Sequence, residues 1–155
     1  MPIEQSTGVV GFLDHIKTGT LHRKSALERV GFDSSNDLEI DRRIRAEKVS
    51  VVVLKNLKKE LELSDEDALS LVSMSRATIA RRRTLKADEA GRVFRIASLL
   101  ALSEEVLGSH EKGIRWLKSP TFFLGNETPL NLAKTEAGAD AVKNLLFRIE
   151  HSVYS

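Results

Sequence analysis

Apolar residues recur at every fourth position between Arg43 and Leu63, and this spacing restricts the possible folds more than any other feature of the chain. The positions concerned are Val49, Val53, Leu57 and Leu61. Such a repeat places apolar side chains on one face of an α-helix, with lysines opposite. The β-branched run at 50–53 would also suit a strand, but the length of the periodic stretch favours a helix. We therefore predict one helix over Arg43–Leu63.

Helix-capping residues divide the rest of the chain in the same way. Ser64, Ser75, Asp88, Ser109 and the pair Thr128-Pro129 each stand where an N-cap is expected, and Gly108 suits a helix C-terminus. The helix after Ser75 is predicted to end near Arg83. The last helix is predicted from about Glu136 to Ile149, followed by a tail over 151–155. With aromatic residues at 5% and only three prolines, these signals predict an all-α fold.

Composition excludes several functional classes. A chain of 155 residues without cysteine has no disulfides and no thiolate metal sites. No apolar run approaches the roughly 20 residues of a membrane span, and the N-terminus lacks secretory-signal character, so we expect a cytoplasmic protein with no membrane association. The four histidines are scattered without ligand spacing, and no nucleophile motif occurs. The sequence therefore predicts neither a metal site nor a cofactor, and does not predict an enzyme.

Positive charge is concentrated in one central segment, although the net charge of the whole chain is only +2. Residues 76–95, here called the basic segment, contain seven basic and two acidic residues. The basic segment begins with the second of two short helices joined by a turn, which is the outline of a DNA-binding helix-turn-helix. We predict that this second helix contacts DNA. The predicted DNA-binding residues are Ser75, Arg76, Thr78, Arg81, Arg82 and Arg83.

Two features of this motif depart from the usual pattern. Ser73 stands where glycine is common, so a left-handed backbone there would carry some strain. Leu69 occupies a tightly packed position that is usually alanine. We expect Leu69 to pack the two helices together with the other apolar residues of the motif, which are Val72, Met74 and Ile79.

The residues before the helix-turn-helix carry two apolar islands between glycines. The first covers 9–16 and the second 26–32. Each suits a short amphipathic helix that buries little surface by itself. We interpret residues 1–47 as an arm that docks on the main body or on a second copy of the chain.

The C-terminal third carries the most specific motifs. They are GIRWLKSP at 113–120, LGNETPL at 124–130, TEAG at 135–138, Val142, Leu145 and RIEHSVY at 148–154. In this order and spacing they resemble the toxin-binding domain of the Xre/MbcA/ParS antitoxins, although the family often has glycine at Ser152. Leu63-Ser64, Ser75, Thr78, Arg82 and the stretch 97–108 resemble the Xre-type DNA-binding part. The resemblance covers about two thirds of the chain, from Val49 onward.

The resemblance implies an antitoxin of a type II toxin–antitoxin system. Its expected fold is an Xre-type helix-turn-helix bundle at 48–108 followed by a small helical toxin-binding domain at 109–155. The expected partners are a RES-domain toxin, which depletes NAD, and the operator DNA of its own promoter. The C-terminal domain would cover the toxin's active-site entrance. From the residues themselves we expect the toxin contacts to come from Arg148, Glu150, His151, Val153, Tyr154 and Ser155.

Two other functions fit the same residues. One is a transcriptional regulator whose C-terminal domain only dimerises or senses a ligand, and the other is a protein-binding module that no longer reads DNA. Helix-turn-helix proteins usually bind paired half-sites as symmetric dimers. We therefore expect a homodimer within a toxin–antitoxin hetero-oligomer. The arm at 1–47 and the helix over Ile96–Leu107 are equally good candidates for the dimer interface.

Overall fold

The computed structural model describes residues 26–32 and 36–154, and regular structure in these ranges is helical. A helical turn, α1, covers residues 26–30. The remaining helices are α2 (Asp37–Arg45), α3 (Val52–Glu60), α4 (Asp65–Leu71), α5 (Arg76–Arg81), α6 (Ala87–Leu107), α7 (His110–Leu117), α8 (Pro129–Leu132) and α9 (Glu136–Tyr154), with a 3₁₀ turn at Phe122–Leu124. The prediction of an all-α fold is confirmed. None of the described helices has the length and apolar content needed to cross a membrane.

The single helix predicted over Arg43–Leu63 is wrong, because two helices share this stretch. The backbone leaves α2 through a left-handed turn at Glu47, where φ is 54°. Ser50 then pairs with Thr84 in an isolated antiparallel bridge, and the Val51 amide donates to the carbonyl of Arg83. Only Ser50 of this run pairs as a strand residue, since Val51 is the N-cap of α3 and Val52 and Val53 lie within that helix. The four periodic apolar residues are nevertheless all buried, since the turn returns them to the same core.

Helix α6 forms the centre of the molecule. It buries residues on several faces, including Val93, Ile96 and Leu100. Its N-cap is Lys86 and not the predicted Asp88, because the Glu89 carboxylate accepts the Lys86 backbone N–H at 2.8 Å. Gly108, in the left-handed region, ends the helix as expected. Because α6 continues from the helix-turn-helix into the C-terminal third, it joins the two parts through one core.

Helices α6 and α7 pack closely at Gly113. A Cβ atom at this position would lie 2.8 Å from the Ser103 hydroxyl oxygen and 3.2 Å from the Glu104 backbone nitrogen. Only glycine allows the two helices to approach so closely without displacing their backbones. Gly113 therefore sets the distance between the long central helix and the first helix of the C-terminal third.

The second apolar island docks on this core. Ala26, Leu27, Val30 and Phe32 are buried, and the Phe32 ring meets Phe94 of α6 edge to face, with centroids 5.4 Å apart. The first island, at 9–16, lies outside the described residues. Residues 26–32 therefore belong to the same packed body as the helix-turn-helix.

A cluster of charged groups holds α1 against three other helices. The Arg29 guanidinium donates to Glu60 of α3 at 2.8 Å and to Glu104 of α6 at 2.6 Å. His110, at the start of α7, lies 2.5 Å from the same Glu104 oxygen through Nδ1. Hydrogen bonds and charge from the two carboxylates outweigh partial burial and raise the pKa of Arg29. We refer to these four residues as the ion cluster.

Helix α9 is longer than predicted. It continues to Tyr154, so the expected end at Ile149 and the separate tail at 151–154 are wrong. Leu146 is the last fully buried residue of this helix among those described. Residues 147–152 then continue along the surface in helical form. An uninterrupted run without glycine or proline explains why the helix does not stop at Ile149.

Candidate functional site

Helices α4 and α5 form the predicted helix-turn-helix. The Ser64 and Ser75 hydroxyls cap the two helices by accepting the amides of Asp67 and Thr78, each at 3.1 Å. Ser73 has a φ of 54°, which is the left-handed conformation expected at the turn. The turn closes through a hydrogen bond from the Met74 amide to the Leu69 carbonyl at 3.0 Å. Serine thus occupies the position at which glycine would be unstrained.

The apolar residues of the motif pack as predicted. Val72 is buried, and Leu69, Met74 and Ile79 are half-buried against the same core. None of the residues of α5 itself is fully buried. The second helix therefore rests on the body along one edge and leaves most of its surface open to solvent.

Three of the predicted arginines are exposed on or beside α5. Arg76 is its first residue and Arg81 its last, while Arg83 lies two residues beyond the end of the helix. The Arg81 side chain folds back along the helix, with Nε donating to the Ala77 carbonyl at 3.3 Å. Ser75 and Thr78 lie at the N-terminus of α5, where their hydroxyls contact each other at 2.9 Å. Of the predicted residues, Ser75, Arg76, Arg81 and Arg83 are thus exposed, and Thr78 is half-buried.

Arg82 differs from its neighbours, because its guanidinium is occupied within the protein. Its two terminal nitrogens donate to Glu89 of α6 at 3.0 and 2.5 Å, and one of them also donates to the Thr84 carbonyl at 3.2 Å. This hydrogen bonding to Glu89 raises the pKa of Arg82. Burial alone would raise the pKa of Glu89, but the hydrogen bonds from Arg82 and the Lys86 backbone lower it. Arg82 therefore links the end of α5 to α6 through its ion pair with Glu89.

Arg92 is a further cation of this surface that was not among the predicted DNA-binding residues. It lies on α6, and its Nη1 donates to the Ser73 hydroxyl in the turn at 3.2 Å. The count of basic residues between 76 and 95 already included Arg92. Its proximity to the turn depends on the packing of α6 behind the helix-turn-helix, so linear spacing did not single it out.

The second candidate surface is formed by α7, the loop after it and α9. Ser109 caps α7 and Thr128 caps α8, both as predicted. Between these helices, Phe122 and Phe123 are 81% and 71% exposed. Two adjacent aromatic residues are conspicuous in a chain with 5% aromatic residues, and that signal was available from the sequence. They were not among the predicted site residues.

A surface depression of about 390 Å³ separates this loop from α9. Trp116 and Phe123 line it on one side, and Arg148 and Ile149 line it on the other. Trp116 is half-buried, since it packs against the core and also lines the depression. The structure thus places Arg148, one of the predicted toxin contacts, beside aromatic residues that are distant in sequence.

The other predicted toxin contacts follow Arg148 along α9. Glu150 is half-buried and His151 is exposed. Val153 and Tyr154 are helical, but their side chains lie outside the described part of the structure, as does the whole of Ser155. The described members of the predicted set therefore lie at the end of a helix and not in an extended tail.

Two lysines of the C-terminal third donate hydrogen bonds to the part of the chain that contains the helix-turn-helix. Lys118, just after α7, donates through Nζ to the carbonyls of Leu61 and Glu62 at 3.1 and 3.0 Å. Lys134 donates to the Ser70 hydroxyl in α4 at 3.2 Å. These contacts join the C-terminal third to α4 and to the turn that precedes it. The two parts therefore belong to one packed body.

Models of two protein families match consecutive parts of the chain. Residues 42–98 match the antitoxin Xre-like helix-turn-helix domain. Residues 102–151 match the antitoxin Xre/MbcA/ParS C-terminal toxin-binding domain. The first range contains α4, α5 and the exposed arginines, and the second contains the aromatic pair, the depression and most of α9.

Curated relatives agree with both matches. An antitoxin Xre from Photorhabdus laumondii is 30% identical over 131 residues, which cover 81% of this chain and 88% of the relative. An antitoxin Xre from Yersinia enterocolitica is 28% identical over 68% of this chain and 75% of the relative. A third, from Pseudomonas putida, is 31% identical over 55% of this chain and 54% of the relative. The chain therefore belongs to the Xre antitoxin family, with a helix-turn-helix domain followed by a toxin-binding domain.

Proposed function

We propose that this antitoxin neutralises a RES-type, NAD-depleting toxin by covering the entrance of its active site, and that it represses its own operon. The observation that carries this proposal is the position of α9. This helix ends the range matched by the toxin-binding family, and its last turns extend past Leu146, its last fully buried described residue. Helical turns that lie at the surface beyond the core suit an element that blocks a cleft.

The proposed mechanism is steric and requires no catalysis by the antitoxin. The helix end excludes the NAD substrate, while Arg148, Glu150 and Tyr154 supply most of the binding energy. A tyrosine anchor and charged groups in the buried centre of an interface are typical hot spots. His151, Val153 and Ser155 complete the contact.

The helix-turn-helix is proposed to bind operator DNA through α5. The exposed cations Arg76, Arg81 and Arg83 support this role, because cationic side chains on a protruding helix complement the phosphates of a major groove. Ser75 and Thr78 at the N-terminus of α5 are proposed to contact base edges or phosphates. Arg82 is assigned a positioning role, since Glu89 already occupies its guanidinium.

A symmetric homodimer is proposed as the DNA-binding form. Helix α6 was one candidate interface, but Ile96, Leu99 and Leu100 are buried within the protomer. This supports the other candidate, the arm at 1–47, in which Leu38 of α2 is 66% exposed. Light scattering on the full chain, compared with Leu38→Asp, tests this assignment, and an unchanged dimer in the variant would contradict it.

Co-expression with the protein encoded next to this gene tests the neutralisation. The full chain is expected to restore growth and cellular NAD, and a chain ending at Ile149 is expected to restore neither. An Arg81→Ala/Arg83→Ala variant is the matched control, since it should lose promoter binding and still neutralise. Full rescue by the shortened chain would contradict the role of the helix end. Failure of the full chain would favour a transcriptional regulator without a toxin partner.

A further inference from the structure

The most exposed apolar side chains in the described part of the molecule are two adjacent phenylalanines. Phe122 and Phe123 are 81% and 71% exposed, and their rings meet edge to face with centroids 6.0 Å apart. Exposed aromatic residues add unfavourable contact with water, and contiguous apolar surface of this kind marks interaction sites. This pair stands outside the contacts already assigned to α9.

The backbone holds the pair in its exposed position. Residues 121–127, here called the aromatic loop, are closed by a bridge between Thr121 and Glu127 and by a hydrogen bond from the Asn126 amide to the Thr121 carbonyl at 2.9 Å. Gly125 and Asn126 have φ angles of 68° and 63°, which complete the tight turn. The rings are therefore presented by an ordered turn, so little conformational entropy is lost when a partner covers them.

The aromatic loop is continuous with the surface assigned to the toxin. Phe123 lines the depression that also contains Ile149 and Arg148 of α9. Asn131 of α8 donates to the Glu127 side chain at 2.7 Å, which fixes the other end of the loop to the same domain. The loop lies within the range matched by the toxin-binding family. A partner that covers the depression beside α9 would therefore also contact Phe123.

We infer that Phe122 and Phe123 anchor the antitoxin in an apolar cleft of the toxin, beside an acidic side chain that faces Arg148. The inference rests on the proposed function, because it assumes that the toxin binds this domain. The aromatic loop and the end of α9 then have different roles in the complex. The rings add affinity at a site next to the active-site entrance, while the end of α9 supplies its own contacts and the obstruction. Buried residues near the centre of an interface are where binding hot spots cluster.

Titration of the purified toxin with the full-length antitoxin tests the inference. The probe is the protein encoded beside this gene, and its affinity is measured by calorimetry. Phe122→Ala/Phe123→Ala is expected to weaken binding by at least about 30-fold, which is the loss from a single interface hot spot. Phe122→Tyr/Phe123→Tyr keeps the rings and should retain most of the affinity. Val52→Ala, which shortens an exposed apolar residue on α3, is the matched control and should bind like the unmodified chain.

The possible outcomes separate the inference from the proposed function. Unchanged affinity in the double alanine variant, with tight binding by the unmodified chain, overturns the anchor and leaves neutralisation by α9 intact. No binding by the unmodified chain overturns both. If the alanine variant changes the oligomeric state seen by light scattering but not the toxin affinity, the loop contacts a second copy and the inference is wrong. Promoter binding by every variant confirms that each one is folded.

Discussion

The Arg82 guanidinium faces the Glu89 carboxylate across the junction of α5 and α6, with two nitrogen–oxygen distances of 3.0 and 2.5 Å. The same carboxylate accepts the Lys86 backbone N–H and so caps α6. One acidic side chain therefore holds the end of the DNA-binding helix and the start of the central helix. This contact distinguishes Arg82 from the exposed arginines on either side of it.

Replacement of Arg82 is expected to destabilise the fold, unlike replacement of its neighbour. Arg82→Ala leaves the buried Glu89 carboxylate without its main partner, so the midpoint of urea unfolding should fall. Arg83→Ala removes an exposed cation of the same segment and should leave the midpoint unchanged. Equal midpoints for the two variants would show that the ion pair contributes nothing to stability.

Replacement of the exposed arginines is expected to weaken DNA binding without loss of stability. Arg81→Ala and Arg83→Ala should each reduce promoter affinity, and each should lower the slope of log affinity against log salt by about 1 if the lost contact is to a phosphate. Titrations at several salt concentrations measure both effects. Lys112→Ala on α7 is the control, because it removes an exposed cation far from α5 in the sequence. An unchanged slope in the arginine variants would contradict the assignment.

The stability contributed by Glu89 is expected to depend on pH. Because its pKa is lowered in the folded protein, the folded state favours the carboxylate. Its contribution is complete above the ordinary glutamate pKa of about 4.3 and is lost as the pH falls through the lowered value. Glu89→Gln should therefore be less stable than the unmodified chain at pH 7, with a smaller difference near pH 3. Urea unfolding across this range provides the measurement.

The Arg82→Ala background serves as the control for this pH effect. Arg82 supplies the hydrogen bond and charge that lower the pKa of Glu89. The loss of stability caused by Glu89→Gln should therefore vary less with pH when Arg82 is absent. A pH dependence of the same size in both backgrounds would exclude Arg82 as its source.

Two glycine substitutions are expected to have opposite effects. Gly113→Ala would place a methyl group 2.8 Å from the Ser103 hydroxyl oxygen and close to α6 backbone, so it should destabilise by about 1–3 kcal/mol. Gly91→Ala meets no other atom within 4 Å inside α6. It should be neutral or stabilise by up to about 1 kcal/mol, because alanine favours a helix. Chemical denaturation compares the pair, and a Gly113→Ala chain as stable as the unmodified one would contradict close packing of α7 on α6.

Local signals in the sequence accounted for many helix boundaries. Ser64, Ser75, Ser109 and Thr128 were each expected to cap a helix, and each hydroxyl accepts a backbone amide three residues later. These contacts lie within one turn of chain, so residue type and spacing suffice to predict them. The left-handed backbone at Ser73 was predictable for the same reason.

Pairing between distant segments decided the boundaries that were wrong. The break between α2 and α3 follows from the bridge of Ser50 to Thr84, 34 residues later. The start of α6 at Lys86 depends on Glu89, which Arg82 orients. Neither bridge nor ion pair leaves a local signature, because the partners are brought together by the fold of the whole core.

Residue types and their order were sufficient for the all-α class, the helix-turn-helix, the basic segment and the family resemblance, since these depend on periodicity, capping and short motifs. Tertiary packing decided which charged and aromatic side chains are available to a partner. It placed Arg82 against Glu89 while its neighbours stayed exposed, and it brought Phe123 beside Arg148. Whether a side chain can bind a partner depends on which other side chains already contact it. Those contacts form only when the helices pack.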